Sequence, residues 1–395
     1  MIAHIKKALR LFAALLLALA LLPAQALAQA SASPFTTGYR YNAERQLTGT
    51  ISPDPDDTGS IKFAAVRNSY DDAGRLVKVE KGELSTWLSE SVAPSAWTAF
   101  TIFQTIDTTY DALDRKIKEV LSSGSTTYTV TQFSYDTVGR LDCTAVRMNA
   151  AVFGSLPSSA CTAGTAGSNG PDRITKNVYD AASQLVQVRR GVTTALEQAN
   201  VTYGYTLNGK REYVIDAKGN RAKLAYDGFD RQNYGYVPAP TGPTAYNPAT
   251  QATALATAGA NSTTDYEQYG FDANGNRTSL RKRDAQVIGY SYDALNRMSV
   301  KDIPSGTAAD VYYGYDLRGL QLYARFVSTG GQGITSIYDN AGRLTSSANN
   351  MGGTSRTLAY QYDADGNRIR LTYPDSNYVT FYYDGLDRMS LVKES

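Results

Sequence analysis

Short runs in which aromatic residues alternate with small or polar ones recur along this chain, and each run ends on the same phrase. Between Tyr269 and Ser395 the phrase reads Phe271-Asp-Ala-Asn-Gly-Asn-Arg277, Tyr292-Asp-Ala-Leu-Asn-Arg297, Tyr315-Asp-Leu-Arg-Gly319, Tyr338-Asp-Asn-Ala-Gly-Arg-Leu344, Tyr362-Asp-Ala-Asp-Gly-Asn-Arg368 and Tyr383-Asp-Gly-Leu-Asp-Arg388. The opening aromatics lie 21, 23, 23, 24 and 21 residues apart. A fixed period of this length marks a repeat architecture.

The period within each copy is two. Tyr290/Tyr292, Tyr313/Tyr315, Tyr360/Tyr362 and Phe381/Tyr383 each place two rings on one face of a strand. The Asp that follows suits a turn, where its carboxylate accepts backbone N–H groups. After two more residues comes Gly or a substitute (Gly342, Gly366, Asn296, Asp387), residue types that adopt positive φ at low cost. Arg and an apolar residue then open a return strand, as in Arg343-Leu344 and Arg368-Ile369-Arg370-Leu371. Second turns such as Ile303-Pro304-Ser305-Gly306 and Tyr373-Pro374-Asp375-Ser376-Asn377 lead into the next run. Two strands of about six residues and two turns of about five fill the period, so the unit is a β-hairpin. Rings of neighbouring hairpins are expected to bury one another.

Looser copies begin at Tyr41, Tyr70, Tyr110, Tyr135, Tyr179, Tyr205 and Tyr226, with an extra turn phrase at Asp216-Ala-Lys-Gly-Asn-Arg221. Three intervals of 40, 44 and 45 residues are about twice the period, and each holds a degenerate repeat or an inserted loop. The insertions fall at about 81–107, 142–173 and 237–265. The first, with Trp87 and Trp97, reads as strand-like. The last is poor in bulky apolar residues and reads as a mobile loop. Residues 31–395 form one β-domain of about fourteen repeats, with no internal boundary.

Residues 1–30 differ from all of this. A basic start (Lys6, Lys7, Arg10) precedes the apolar run Leu11–Leu22 and small-residue motifs at Ala26-Leu27-Ala28 and Ala28-Gln29-Ala30. That is the pattern of a cleaved secretory signal, too short to span a bilayer. The expected location is secreted, periplasmic or at the cell surface, with no membrane span in the mature chain. Removing the segment takes the formal net charge from +2 to about −1, which disfavours nucleic acid as a partner. It also removes His4, the only histidine, and with it His-based triads, ligation and proton shuttling. Cys143 and Cys161, 18 residues apart in an exported chain, are expected to form a disulfide worth about 3 kcal/mol.

The phrase Tyr-Asp-x-x-Gly-Arg-Leu, closest at Tyr70–Leu76, Tyr135–Leu141 and Tyr338–Leu344, resembles the YD repeat of the Rhs (rearrangement hotspot) family. That family includes polymorphic toxins, cocoon-forming components of insecticidal toxin complexes and teneurin ectodomains. The resemblance covers essentially all of 39–395. It implies an all-β fold in which successive antiparallel β-hairpins make a spiralling, partly open, shell-like sheet. In full-length relatives the shell encloses a toxin or supports cell-surface contacts. This chain is expected to be a short form without the core-associated and toxin regions. A propeller with four-stranded blades is the rival architecture, and pairing of the first and last repeats separates the two.

The residues that define the repeat are Tyr70, Asp71, Gly74 and Arg75; Tyr135, Asp136, Gly139 and Arg140; Tyr338, Asp339, Gly342 and Arg343; and Tyr362, Asp363 and Gly366. Their role reads as structural. Asp and Arg four apart across a turn suit a charge-assisted bond or Arg-on-Tyr stacking, and a dozen copies of one constellation do not suit catalysis. The chain is therefore read as non-enzymatic. Asp54-Pro-Asp56-Asp57-Thr58-Gly59 imitates the start of a Ca²⁺ loop but carries Ala65 at its twelfth position, and Asp363-Ala-Asp365-Gly366 has its Gly too early. No metal or cofactor is expected. The expected partner is a protein, met through scaffold, shell or surface contacts. The alternative is a carbohydrate or cell-wall glycan met by some of the 29 tyrosines. Open sheet edges are expected to favour self-association.

Overall fold

The computed structural model of the chain describes residues 35–395 apart from 57–58, 305 and 307. The signal predicted over 1–30 lies outside these, as do Asp57 and Thr58 of the Ca²⁺-like turn. The described chain is a succession of thirteen hairpins. In each, the odd strand ends on the aromatic that opens the turn phrase, and the even strand starts just after the Arg position. The pairs are β1 (Thr36–Tyr41) with β2 (Leu47–Ile51), β3 (Phe63–Tyr70) with β4 (Leu76–Leu84), β5 (Phe100–Tyr110) with β6 (Lys116–Ser123), and β7 (Thr126–Tyr135) with β8 (Leu141–Arg147). Next come β9 (Arg173–Tyr179) with β10 (Leu185–Arg190), β11 (Gln198–Tyr205) with β12 (Arg211–Asp216), and β13 (Arg221–Tyr226) with β14 (Gln232–Pro238). The run continues through β15 (Asn261–Phe271) with β16 (Arg277–Arg281), β17 (Val287–Tyr292) with β18 (Met298–Asp302), and β19 (Val311–Tyr315) with β20 (Gln321–Phe326). It closes with β21 (Gly333–Tyr338) and β22 (Leu344–Asn349), β23 (Arg356–Tyr362) and β24 (Arg368–Thr372), and β25 (Tyr378–Tyr383) and β26 (Met389–Glu394). The expected count of about fourteen falls by one, because the extra phrase Asp216-Ala-Lys-Gly-Asn-Arg221 is the turn that joins β12 to β13 and opens no hairpin of its own.

The described residues fall into two compact units. One takes the described residues up to Asn68 together with Lys81–Thr101 and Val379–Ser395; the other takes Ser69–Glu80 and Ile102–Tyr378. In the second unit, β5 to β24 each pair antiparallel with the next strand without a break. Twenty continuously paired strands leave no boundary at which four-stranded blades could separate, which argues against a propeller.

In the first unit the first and last described strands meet. Strand β26 pairs with β25 on one side and with β1 on the other, Thr36 facing Lys393 and Gly38 facing Leu391. Strand β1 pairs with β2, and β2 with β3. The expectation of a partly open sheet is therefore corrected: the first and last strands cover each other's edges, the pairing expected of a propeller, although β5 to β24 form no separate blades. The reason is that unpaired edge N–H and C=O groups are costly to desolvate and prone to foreign pairing. Self-association through those two edges loses its basis at the same time.

The buried cores lie beneath the insertions and not between the repeat tyrosines, which are half-exposed. Segment 85–99 is a loop with one 3-10 turn (Pro94–Ala96), where a strand-like stretch was expected. It lays Trp97 against Ile51, Ala65 and Leu84. Gly49 makes this approach possible, since a Cβ there would stand 2.5 Å from the Pro94 ring and 2.8 Å from the Trp97 ring. Segment 239–260, read as a mobile loop, contains helix α1 (Gln251–Thr257). Thr250 and Thr253 form a reciprocal capping box, and the alanines that follow favour helix. Leu255 of α1 rests on Gly204, where a Cβ would meet its Cδ2 at 2.9 Å. Segment 148–172 closes over Cys143, Ala145, Ile174 and Val192 and contributes Ala160 to the same cluster.

All three insertions join an even strand to the following odd one. They therefore leave from the end of the strands opposite the Tyr-Asp turns. Two devices hold segment 148–172. Cys143 and Cys161 form a disulfide with Cα atoms 5.2 Å apart. Arg147 and Asp172, only 2% and 4% exposed, pair at 2.6 Å. Asp172 also accepts the backbone N–H groups of Met148 and Gly164. Replacing Asp172 by Ala strands a buried guanidinium, and the expected loss is about 3–5 kcal/mol of unfolding free energy. Urea denaturation checks this, and a loss well under 1 kcal/mol would contradict the assignment.

Candidate functional site

The feature that the chain builds repeatedly is its turn. Asp71 donates its backbone N–H to Arg75 O and accepts from Gly74 N at 2.9 Å, closing a tight loop in which Gly74 has φ 79°. Its Oδ1 takes the N–H groups of Ala73 and Arg75, and its Oδ2 takes Arg75 Nε at 2.8 Å. Asp136/Arg140 and Asp339/Arg343 repeat the bonds, with Gly139 and Gly342 also at positive φ. Where Gly is absent, Asp114, Asn296 and Asp387 occupy the left-handed region in its place. Gly366 keeps the geometry beside Asp363, but Asn367 stands where Arg would be and donates to Asp363 instead.

The same arginine reaches the next hairpin. Arg343 lies 4.9 Å over the Tyr362 ring and donates from Nη1 to Asp363 O at 3.0 Å, while Tyr362 Oη donates to Leu344 O. Arg140 treats Tyr179 and Asp180 O in the same way, with Tyr179 Oη donating to Leu141 O. Arg75 does so with Tyr110 and Asp111 O, and Arg297 with Tyr315 and Asp316 O. Arg115 covers Tyr135 at 4.5 Å, and Tyr135 Oη donates to Lys116 O. The expected packing of ring on neighbouring ring gives way to guanidinium on ring. Each clasp fixes one hairpin to the next through a charge, a ring face and two backbone carbonyls.

The clasp does not stop at the end of the chain. Arg388 binds Asp384, lies 4.8 Å over Tyr41 of the first hairpin, and donates to Asn42 O at 3.1 Å. The first hairpin thus serves as the successor of the last. Removing Arg388 as Ala is expected to speed amide exchange at 36–38 and 391–393 together, while Arg343→Ala leaves those amides unchanged. Hydrogen–deuterium exchange on the two variants checks this.

The turn carboxylates are held below the ordinary Asp range. For Asp71, Asp111 and Asp293 the main cause is the side-chain hydrogen bond from the following Arg, then its backbone N–H; for Asp339 the backbone N–H of Arg343 comes first. Folded-state values below the unfolded value of about 4 mean that this stabilisation is complete above that pH and is lost as pH falls through the folded values. The melting temperature is therefore expected to hold on the neutral side and to fall steeply below about pH 4, a course that thermal scans across pH record. A flat profile there would contradict the clasp.

Other sequence readings fall into turns. Asp56 N donates to Asp54 Oδ1, and Ile61 N donates to Asp56 Oδ2, a local loop with Ala65 buried in the core beyond it. Asp142, Cys143 and Cys161 bring potential ligand atoms within 4.8 Å of one another, but both sulfurs are in the disulfide and offer no thiolate. Two features escaped the sequence. Arg40 is buried between Trp87 and Trp97, 5.7 and 5.8 Å from their rings, and donates to Leu88 O. Burial pulls its guanidinium down to about 10, with Glu90 opposing the shift. Tyr269 is pushed up to about 12 by burial and by its bond to the Glu267 carboxylate. The adjacency of Arg40 to both indoles depends on the fold of segment 85–99, which no local pattern announces.

The geometry defines a class of protein, a β-hairpin repeat chain stitched by Arg–Tyr–Asp clasps. Residues 338–378, which contain the Tyr338 and Tyr362 turns, match the family model described as RHS Repeat. No curated protein matches the sequence. Among solved structures the chain is similar to "Crystal Structure of TcdB2-TccC3", at 14% identity and a TM-score of 0.41, covering 89% of this chain and 22% of that one. It is similar to "Crystal Structure of TcdB2-TccC3-Cdc42", at 13% identity and 0.40 over 89% and 22%. It is also similar to a Photorhabdus luminescens Tc holotoxin pore, at 12% identity and 0.30 over 87% and 23%. The chain spans less than a quarter of the length of these structures, and likenesses at this level carry no argument about shape or partners.

Proposed function

We propose that this chain is an exported, non-catalytic Rhs-repeat scaffold that presents a surface to another protein. One observation supports the reading above the rest: the charged residues that recur in the phrase are committed to the clasp. Asp71, Asp111, Asp136, Asp293, Asp339 and Asp384 each accept both backbone and guanidinium N–H groups. A carboxylate held in that way is a poor general acid or base, since its proton affinity is depressed and its lone pairs are occupied. The leader-like residues 1–30 support export, with cleavage after Ala28 or Ala30.

The glycan reading draws on one group. Tyr234 and Tyr236 stack at 5.3 Å, and Tyr266 lies 5.7 and 5.5 Å from them. Arg281 already covers Tyr266 at 3.9 Å, which favours internal packing over sugar stacking. The mature chain is expected to give a β-type circular dichroism spectrum, to turn over no ester, peptide, glycoside or phosphodiester substrate, and to bind no glycan in a way that Tyr234→Ser and Tyr236→Ser abolish. Turnover that disappears on replacing a single carboxylate would overturn the scaffold reading.

A further inference from the structure

The turns that carry the clasp also carry a row of apolar side chains with no visible use in this chain. In the second unit the turns joining each odd strand to its even partner all lie at one end of the strands. One of the two apex residues is large and apolar in six of the eight turns between β5 and β20: Leu113, Val138, Leu207, Phe229, Leu295 and Leu317. Their exposure runs from 65% to 111%. Single exposed leucines are ordinary, but a regular row is not. Adjacent turns lie two strand spacings apart, about 10 Å, and the β9–β10 and β15–β16 turns, with Ala181-Ala182 and Ala273-Asn274 at the apex, divide the row into three pairs. Segment 148–172 reaches the β5–β6 turn with Leu156 and Ser159, yet Leu113 and Val138 beside it stay 71% and 69% exposed.

We propose that this rim is a homotypic interface, occupied by the same rim of a second copy related by a two-fold axis. Three observations select that occupant. An opposing surface must offer apolar groups as pairs about 10 Å apart with a gap after each of the first two pairs, and the rim itself does in either direction. An isologous contact uses one patch on both copies, and an antiparallel approach seats each side chain between two of the other row. At roughly 100–150 Å² each, six side chains supply about 600–900 Å² per copy, close to the roughly 800 Å² per partner of a stable interface.

Like charges would oppose such a contact, yet the polar residues that follow the apex pairs are tied to neighbouring turns. Asp114 accepts Arg75 Nη1 at 2.5 Å, Asp230 accepts Asn208 Nδ2 at 2.5 Å, and Asn296 accepts Asn274 Nδ2 at 3.0 Å. Ser183 takes Arg140 Nη1 at 3.0 Å. These links also pre-order the rim, which lowers the entropic cost of association.

Sedimentation velocity and light scattering on the mature chain test this, with the triple variant Leu207→Ser, Phe229→Ser, Leu317→Ser. Leu196→Ser serves as a control, because Leu196 is exposed on the connection between β10 and β11, at the other end of the strands. The expected result is a concentration-dependent dimer, weakened about a hundredfold or more by the triple variant and unaffected by the control. All three proteins should share one melting temperature, since the residues replaced are exposed. A chain that stays monomeric, a dimer that survives the triple variant, or one that the control dissolves would each overturn the proposal.

Discussion

One guanidinium, used twice, holds this structure together. In each full clasp the Arg of a turn satisfies the Asp carboxylate of its own hairpin and then lies across the aromatic ring of the next. The first contact fixes the turn. The second converts a string of hairpins, each of marginal stability alone, into a laterally coupled sheet. A repeat protein whose units meet only their neighbours depends on such nearest-neighbour terms. Here the term is polar and half-exposed rather than hydrophobic, which is why the repeat tyrosines are not deeply buried.

That choice leaves the sheet short of core, and the insertions supply it. Segments 85–99, 148–172 and 239–260 each lie over strands and bring the bulky or cross-linked groups the repeats lack. Trp97 comes down on Gly49, the Cys143–Cys161 disulfide and the Arg147–Asp172 pair anchor the middle segment, and Leu255 of α1 meets Gly204. Glycine is needed at 49 and 204 for close approach, not for backbone conformation. The two requirements on glycine in this chain are thus distinct: positive φ at Gly74, Gly139 and Gly342 in the turns, and the absence of a side chain on the strands beneath the insertions.

The periodic part of the fold was legible because the signal is local. A closing aromatic, often with another two positions before it as at Tyr135 and Tyr362, then Asp and a residue tolerant of positive φ three positions on, locate each hairpin turn, at Tyr110 and Tyr338 as well. Arg-on-Tyr stacking was legible as a kind of contact, but the sequence could not say which Tyr. The ring lies in the following repeat, 35 residues away for Arg75 and Tyr110 and 19 for Arg343 and Tyr362. The insertions were read less well. Their structure comes from what they lie on, and a helix as short as Gln251–Thr257 stands on its capping box and on the groove beside Gly204, neither of which has a period.

The meeting of the first and last described strands was hardest to foresee, and it follows from the same clasp. Each repeat offers a turn carboxylate and Arg toward its successor and an aromatic ring toward its predecessor. A linear array leaves the last Arg and the first ring unmatched, with an open strand edge beside each. Pairing β1 with β26 removes both edges and lets Arg388 find Tyr41. Asn42 replaces Asp in the first turn, but the acceptor for Arg388 is its backbone carbonyl, so the substitution costs the joint nothing. The side chain is free to do another task and donates to Gln46 within its own turn. Gln46 holds the Arg position there. The first repeat therefore carries no guanidinium at that position while keeping the ring and carbonyl that the last repeat requires.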